Sequence, residues 1–325
     1  STRKLVRFRL SVCSRKELRV AKVYKVDETF DHTLFIGASC AFGVFDGVHR
    51  GHRFLIDQAK RTAAESGGKS IALTFDIDPD ERFHADRLKK LMTNEQRVKA
   101  LADTGVDCVV VLPFTPAFSA QSPMAFMDAT FGGCAPYAMH VGTDFRFGAK
   151  AAGTVSELHE WGDSRGTRIC SHDLESFDGR PITATRIRLL LGDCKVAAAI
   201  ELLGHPYTFE GVVQQGRGQG NDMGFATANL QLPAMMQVLG EAVYAAYVTV
   251  DGVRYKSAMS VGVAPTFADA TATCEAHILD FDGKIYGDTI KVEPVEFLRP
   301  MIKFDSVDEL IATVKGNIEW VRENL

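Results

Sequence analysis

No apolar run in this 325-residue sequence approaches the roughly 20 residues needed to cross a membrane. The first twenty residues are basic, but charges every few positions leave no apolar stretch of the kind a secretion signal needs. Both absences lead us to expect a cytoplasmic protein without a membrane partner. The seven cysteines, at 13, 40, 108, 134, 170, 194 and 274, form no CxxC pair. An odd, scattered set fits neither a disulfide framework nor a zinc site, so reduced and mostly buried thiols are expected. Strong charge of either sign is also missing. A net charge of −4 offers no general attraction to nucleic acid, and any polyanionic ligand must be held by a local site. Internal repeats and low-complexity tracts are absent as well. Hydrophobic residues at 46% and charged residues at 24% are ordinary for a globular chain, and the length suits two domains.

Two common nucleotide motifs are lacking. Lys69-Ser70 after Gly68 makes no P-loop, because Ala63 stands where that motif needs its first glycine. The glycines of 216–224 have the wrong spacing for a dinucleotide fingerprint, and no helical pattern follows them.

What is present divides near residue 186. Before it, apolar segments alternate with helical patterns. Residues 33–45 read as a strand and 53–65 as a helix stopped by Gly67-Gly68; residues 70–75 read as a second strand. A helix capped by Thr93 then leads to a third strand at 108–112. Such alternation implies a doubly wound α/β domain with its ligand at the carboxyl ends of the strands. After a helical stretch at 185–204, short strand-like segments follow at 207–214, 242–250, 254–261, 274–281 and 289–297. Asp251-Gly252 and Asp282-Gly283 read as hairpin turns between them. These predict a small antiparallel β-barrel closed by one helix over 306–324. The expected domains are 1–186 and 187–325.

The most specific segment is GVFDGVHRGH over residues 43–52, at a strand-to-helix junction. Free N–H groups and the positive end of a helix dipole suit a phosphate there. His49 and His52 can both face it. Taken alone, such a pair is more often a helix cap plus a satisfied surface histidine, and a zinc site would lack its third ligand. The segment GTDFRFG at 142–148 supplies a glycine turn after another strand, and Arg186 and Arg188 carry planar forks suited to phosphate oxygens. In the second half, GFATANL at 224–230 places the oxygen donors Thr227 and Asn229 on one strand face. Glu275 and His277 share a face of the strand over 273–281, expected to point inward.

These segments resemble the HxGH nucleotidyltransferases, and the GxFDGxHxGH form is that of bacterial bifunctional riboflavin kinases and FAD synthetases. The resemblance implies an adenylylation site in the first domain, with His49 and His52 catalytic. Gly43, Phe45, Asp46, Gly51, Gly142, Asp144, Phe147, Thr185, Arg186 and Arg188 would then contact ATP. GFATANL resembles the GFPTANL of riboflavin kinases. It implies Mg²⁺ on Thr227 and Asn229, ATP against Gly216, Gly218, Gly220, Gly224 and Thr227, and Glu275 as general base. The CEAHILDF run at 274–281 and the ending that carries Arg299 and Phe304 match that family's last segments, the latter two on the flavin side. Riboflavin, FMN, FAD and ATP are the implied ligands of a monomer or weak homo-oligomer. This chain departs from the pattern at Asp78, where a histidine is usual, and at Ala184 in a serine pair. It departs again at Gln219, Ala226 and Ala264, where arginine, proline and arginine are usual, which predicts a weakened ATP contact in the kinase half. The alternatives are a chain that keeps one of the two activities, or a flavin-binding regulator.

Overall fold

The computed structural model describes residues 21–85, 87–215, 225–262 and 274–325, with backbone alone at 263, 272 and 273. Gly216, Gly218, Gln219, Gly220, Gly224 and Ala264 lie outside the described residues.

The first unit is a six-stranded parallel sheet in the order β1-β4-β3-β2-β5-β6. Its strands are β1 (Lys22–Lys25), β2 (Ser39–Phe42), β3 (Ser70–Phe75), β4 (Cys108–Leu112), β5 (Ala138–Gly142) and β6 (Arg168–His172). The helices are α1 (Arg50–Ser66), α2 (Pro79–Phe83), α3 (Asn94–Ala102), α4 (Pro116–Ser119), α5 (Pro123–Phe131) and α6 (Val155–Arg165). All six residues of β3 are buried, as a parallel strand covered on both faces requires. One face packs Phe42, Leu73 and Val110 on Phe126 and Trp161; the other packs Ala41, Ala72 and Val109 on Ile56 and Leu101. The chain runs outward from β2 through β3 to β4, then returns to pair β5 with the other side of β2. That reversal opens a crevice at the carboxyl ends of β2 and β5, the place where open α/β sheets bind ligands.

One sequence expectation fails locally. Residues 32–35 form a 3₁₀ turn capped by the Asp31 side chain, so the strand read over 33–45 shrinks to β2. Leu34 and Phe35 are apolar because they pack under the sheet, and a short apolar run has no period that separates the two cases.

A two-stranded hairpin, β7 (Ser176–Phe177) with β8 (Arg180–Pro181), precedes α7 (Ala184–Gly192) and α8 (Val196–Leu203). The second unit is a closed antiparallel barrel. It comprises β9 (Phe209–Gln214), β10 (Ala228–Gln231), β11 (Ala242–Val250), β12 (Val253–Val263), β13 (Ala272–Ile278) and β14 (Thr289–Pro300). Helix α9 (Val307–Asn324), capped by Ser306, packs outside it on β11 and β12. Alternate residues such as Val213, Leu230, Tyr244, Met259 and Ala276 fill the interior. Asp251 (φ 48°) and Gly252 (φ 79°) make the expected hairpin turn. Asp282-Gly283 does not. The connection from β13 to β14 is a longer loop whose left-handed residues are Asp280 (φ 58°) and Gly287 (φ 88°).

Candidate functional sites

Between β2 and α1 the chain takes left-handed φ values at Phe45 (60°), Gly47 (78°) and Val48 (37°). A Cβ on Gly47 would also lie 2.7 Å from Leu91, so the position needs glycine twice over. The turn is held by Asp46. Its buried carboxylate accepts the Leu91 N–H (3.0 and 3.1 Å) and the Met92 N–H (3.2 Å), and it lies 3.4 Å from Arg188 Nη1. Burial pushes the Asp46 carboxyl up to about 6 against the pull of these donors.

His49 is the N-cap of α1: its Nδ1 accepts the His52 N–H at 3.3 Å, which puts its proton on Nε2. The cap reading and the ligand reading of the pair are thus compatible. The two rings stack with centroids 3.5 Å apart, and His52 Nδ1 is buried with no partner. Burial, then the neighbouring His205 ring and the Arg188 guanidinium, push His49 down to about 3; burial and the adjacent His49 push His52 well below its ordinary range. Both rings are neutral in the free protein and offer hydrogen bonds, not charge.

Gly51 leaves the space between these rings and the chain before α7, since a Cβ there would stand 3.3 Å from two His49 ring atoms and 3.6 Å from Ile182 O. The start of α1 and the segment that leads into α7 are thus neighbours. Thr183 caps α7 by accepting the Arg186 N–H at 3.1 Å, with Ala184 and exposed Thr185 in its first turn. Arg186 Nη1 donates to the carbonyls of Phe177, Arg180 and Pro181, and so ties the β7–β8 hairpin to α7. Arg188 reaches back to Asp46 and to Lys89 O (3.2 Å).

The 142–148 loop leaves β5 beside the β2 turn. Asp144 Oδ1 folds back over Gly142, where a Cβ would meet it at 2.6 Å, and Phe147 is buried in the sheet core against Phe145 and Phe126. Asp78, at the site of the family's histidine, caps α2 by accepting the Asp80 N–H (2.9 Å). It stabilises the buried cation Arg97, which donates to Phe75 O (2.7 Å).

A cleft of about 420 Å³ opens beside this turn, lined by Asp80, His84, Arg87, Leu88, Lys89 and Arg188. Of its lining residues sequence reasoning found only Arg188, because Arg87 and Lys89 come from an irregular segment without a motif. A larger cleft of about 760 Å³, near Tyr24, Phe30 and Lys69, lies by the amino ends of β2 and β3 and contains no motif residue.

In the barrel, Asn229 pairs with Glu275 across β10 and β13, and Ser260 of β12 flanks Glu275 on its other side. Contrary to the inward placement expected, Glu275 is exposed on the outer face, because its neighbours Cys274 and Ala276 fill the interior. His277, on the same outer face, has Nδ1 2.8 Å from Ala226 O and meets the Phe225 ring edge-on. Thr227 and Asn229 are half-buried beside it. Arg299 stacks over Phe304 with its guanidinium carbon 5.6 Å from the ring centroid, and its Nε is buried without a partner.

A family model for FAD synthetase matches residues 33–186 and one for riboflavin kinase matches 203–325. The bifunctional riboflavin kinase/FMN adenylyltransferase of Listeria monocytogenes is 35% identical over 90% of this chain and 94% of its own; that of Escherichia coli K12 is 32% identical over 88% and 92%. A crystal structure described as a macrolide-efflux protein from Streptococcus pneumoniae superposes with a TM-score of 0.80 at 28% identity, over 93% of this chain and 99% of that one. Among the described residues here, no helix is long and apolar enough to cross a membrane. Both halves match at near full length in one chain, so this protein belongs to the bifunctional riboflavin kinase/FMN adenylyltransferase family.

Proposed function

We propose that the chain converts riboflavin and ATP to FMN and ADP in the barrel unit, and FMN and ATP to FAD and pyrophosphate in the parallel-sheet unit. The observation that carries this reading is the coexistence of two built sites in one chain. One is the capped His49/His52 turn at the β2–β5 crevice, and the other is the Asn229–Glu275 pair on the barrel's outer face.

In the kinase step the ribityl hydroxyl oxygen attacks the γ-phosphorus, the bond to the β,γ-bridging oxygen breaks, and Glu275 takes the hydroxyl proton. An exposed carboxylate is suited to that task, because substrate and proton must both reach it. The hydroxyl of Thr227 and the amide oxygen of Asn229 are hard donors of the type Mg²⁺ accepts, and would hold it. When bound, the ion neutralises charge on the transferring phosphate. Arg299 and Phe304 would take the flavin side, where a partnerless guanidinium nitrogen and an aromatic face offer a donor and a stacking surface.

In the adenylylation step an FMN phosphate oxygen attacks the α-phosphorus of ATP and pyrophosphate leaves. The nucleophile is already anionic, so no general base is required. His49 Nε2–H, the His52 ring and the N–H groups at the start of α1 would bind the charge that builds on the phosphates, while Gly43, Gly142, Asp144 and Phe147 shape the crevice. Thr185 and the Arg186–Arg188 pair border it from α7, and the cationic cleft beside Asp46 suits an anionic substrate. Reduced cysteines fit a cytoplasmic setting.

Incubation of the protein with riboflavin, ATP and Mg²⁺, followed by chromatography, should show FMN and then FAD. Accumulation of FMN alone, with no FAD from supplied FMN, would reduce the chain to one activity. Flavin bound but unchanged would favour a regulator.

A further inference from the structure

A β-branched residue with positive φ costs about 1–3 kcal/mol and persists only where its surroundings fix it. Val48 is such a residue; it follows Gly47 and immediately precedes His49. The Gly47–Val48 peptide is pinned at both ends. The Val48 N–H donates to Phe45 O (3.0 Å), within the turn itself. Gly47 O is held at 2.8 Å by His205 Nε2, from a residue 158 positions later, just after α8. The other ring nitrogen, Nδ1, lies 2.8 Å from Pro206 O, so the ring sits between two carbonyls, and the tautomer with its proton on Nε2 donates to Gly47 O.

The same side of the molecule supports the turn a second time. Leu91 and Met92, whose N–H groups hold Asp46, continue a segment bridged to the stretch before β11. Lys90 N–H donates to Met235 O (2.7 Å) and Gln237 N–H donates to Lys90 O (2.8 Å). Tyr207 Oη donates to Gln237 O at 2.6 Å. Leu203, from α8, packs on Gly47. Residues beyond the first unit therefore grip the turn that carries the two histidines.

We infer that His205 is a positioning residue for adenylyl transfer: by fixing the Gly47–Val48 peptide it sets the direction in which His49 and the first N–H groups of α1 face the nucleotide. It touches no reacting atom. The inference rests on the reading that the His49/His52 crevice performs the FMN-to-FAD step.

The test uses the full chain with His205→Ala and His205→Gln, the latter retaining a side-chain N–H able to reach Gly47 O. FAD formation from FMN should fall roughly 10-fold or more in kcat in the alanine variant, with a smaller change in KM for ATP. The glutamine variant should recover most of it. Riboflavin phosphorylation by the same polypeptide should stay within about 2-fold, which also shows that the chain is folded. Unchanged FAD formation in His205→Ala would overturn the inference. So would parallel loss of both activities, or a glutamine variant as impaired as the alanine one. A parent protein that makes no FAD at all would instead overturn the activity assigned to the crevice.

Discussion

His52 carries a buried ring nitrogen without a partner, and His49 a proton directed to Nε2 by its capping role. Neither ring is cationic in the free protein, so their use must come from preorganised hydrogen bonds. Replacing His52 with alanine should lower FMN-to-FAD conversion ~10²-fold, the scale of one preorganised contact, and leave FMN formation nearly unchanged. Equal losses in both rates would show that the crevice is not where His52 acts. His140 on β5 tests a different effect. Burial, then His172 and Arg168, push it down to about 4 from an ordinary 6.5, while Nδ1 contacts His172 Nε2 at 2.9 Å. The folded state then binds fewer protons than the unfolded one between these values. The contribution to stability is full above about 6.5 and is lost as pH falls toward 4. His140→Gln should therefore lose less Tm than the parent between pH 7 and pH 5; parallel declines in the two proteins would contradict this.

At the scale of elements, the first turn of α1 depends on a side chain that is absent. A Cβ at Gly51 would press on the His49 ring at 3.3 Å, so Gly51→Ala should displace the cap and reduce FAD formation roughly 10-fold or more without loss of helix content by circular dichroism. An unaffected rate would mean that the ring has room to yield. On β13, Glu275 stands opposite Asn229 on the outer face. Glu275→Gln keeps shape but cannot accept a proton, and kcat for FMN formation should drop ~10²–10⁴-fold with riboflavin affinity little changed. A variant that works at the parent rate would leave positioning and the metal as the whole mechanism.

At the scale of the molecule, the barrel's core is not wholly its own. Leu91, Ile182, Ile187 and Leu191 pack in one cluster with Tyr207, Leu230 and Tyr244, and helices α7 and α8 fill the stretch 187–202 that neither family model covers. Leu91 is 1% exposed and lies far before the barrel in sequence, yet it packs in that core. Leu91→Ala should cost about 2–5 kcal/mol and lower the heat-inactivation midpoints of both activities together. A shift confined to FAD formation would show that the two units unfold independently.

Sequence by itself determined the parallel sheet, the closed barrel and the position of the histidine turn. In each case the signal is local: helical spacing after His49, the Thr93 cap, the Asp251-Gly252 turn, and the short apolar runs that became β9 and β11. Where the residues alone allowed two readings, tertiary packing decided. Leu34 and Phe35 are apolar in a turn as they would be in a strand, and Glu275 faces outward because small neighbours fill the barrel. Only the fold brings His205 to Gly47, Leu91 to the barrel core and Asp78 to Arg97, since each contact joins segments with no shared period or motif. Local sequence pattern encodes backbone geometry within a few residues, whereas the protonation of the histidines and the support of their turn depend on burial and on distant groups that exist only once the chain has closed on itself.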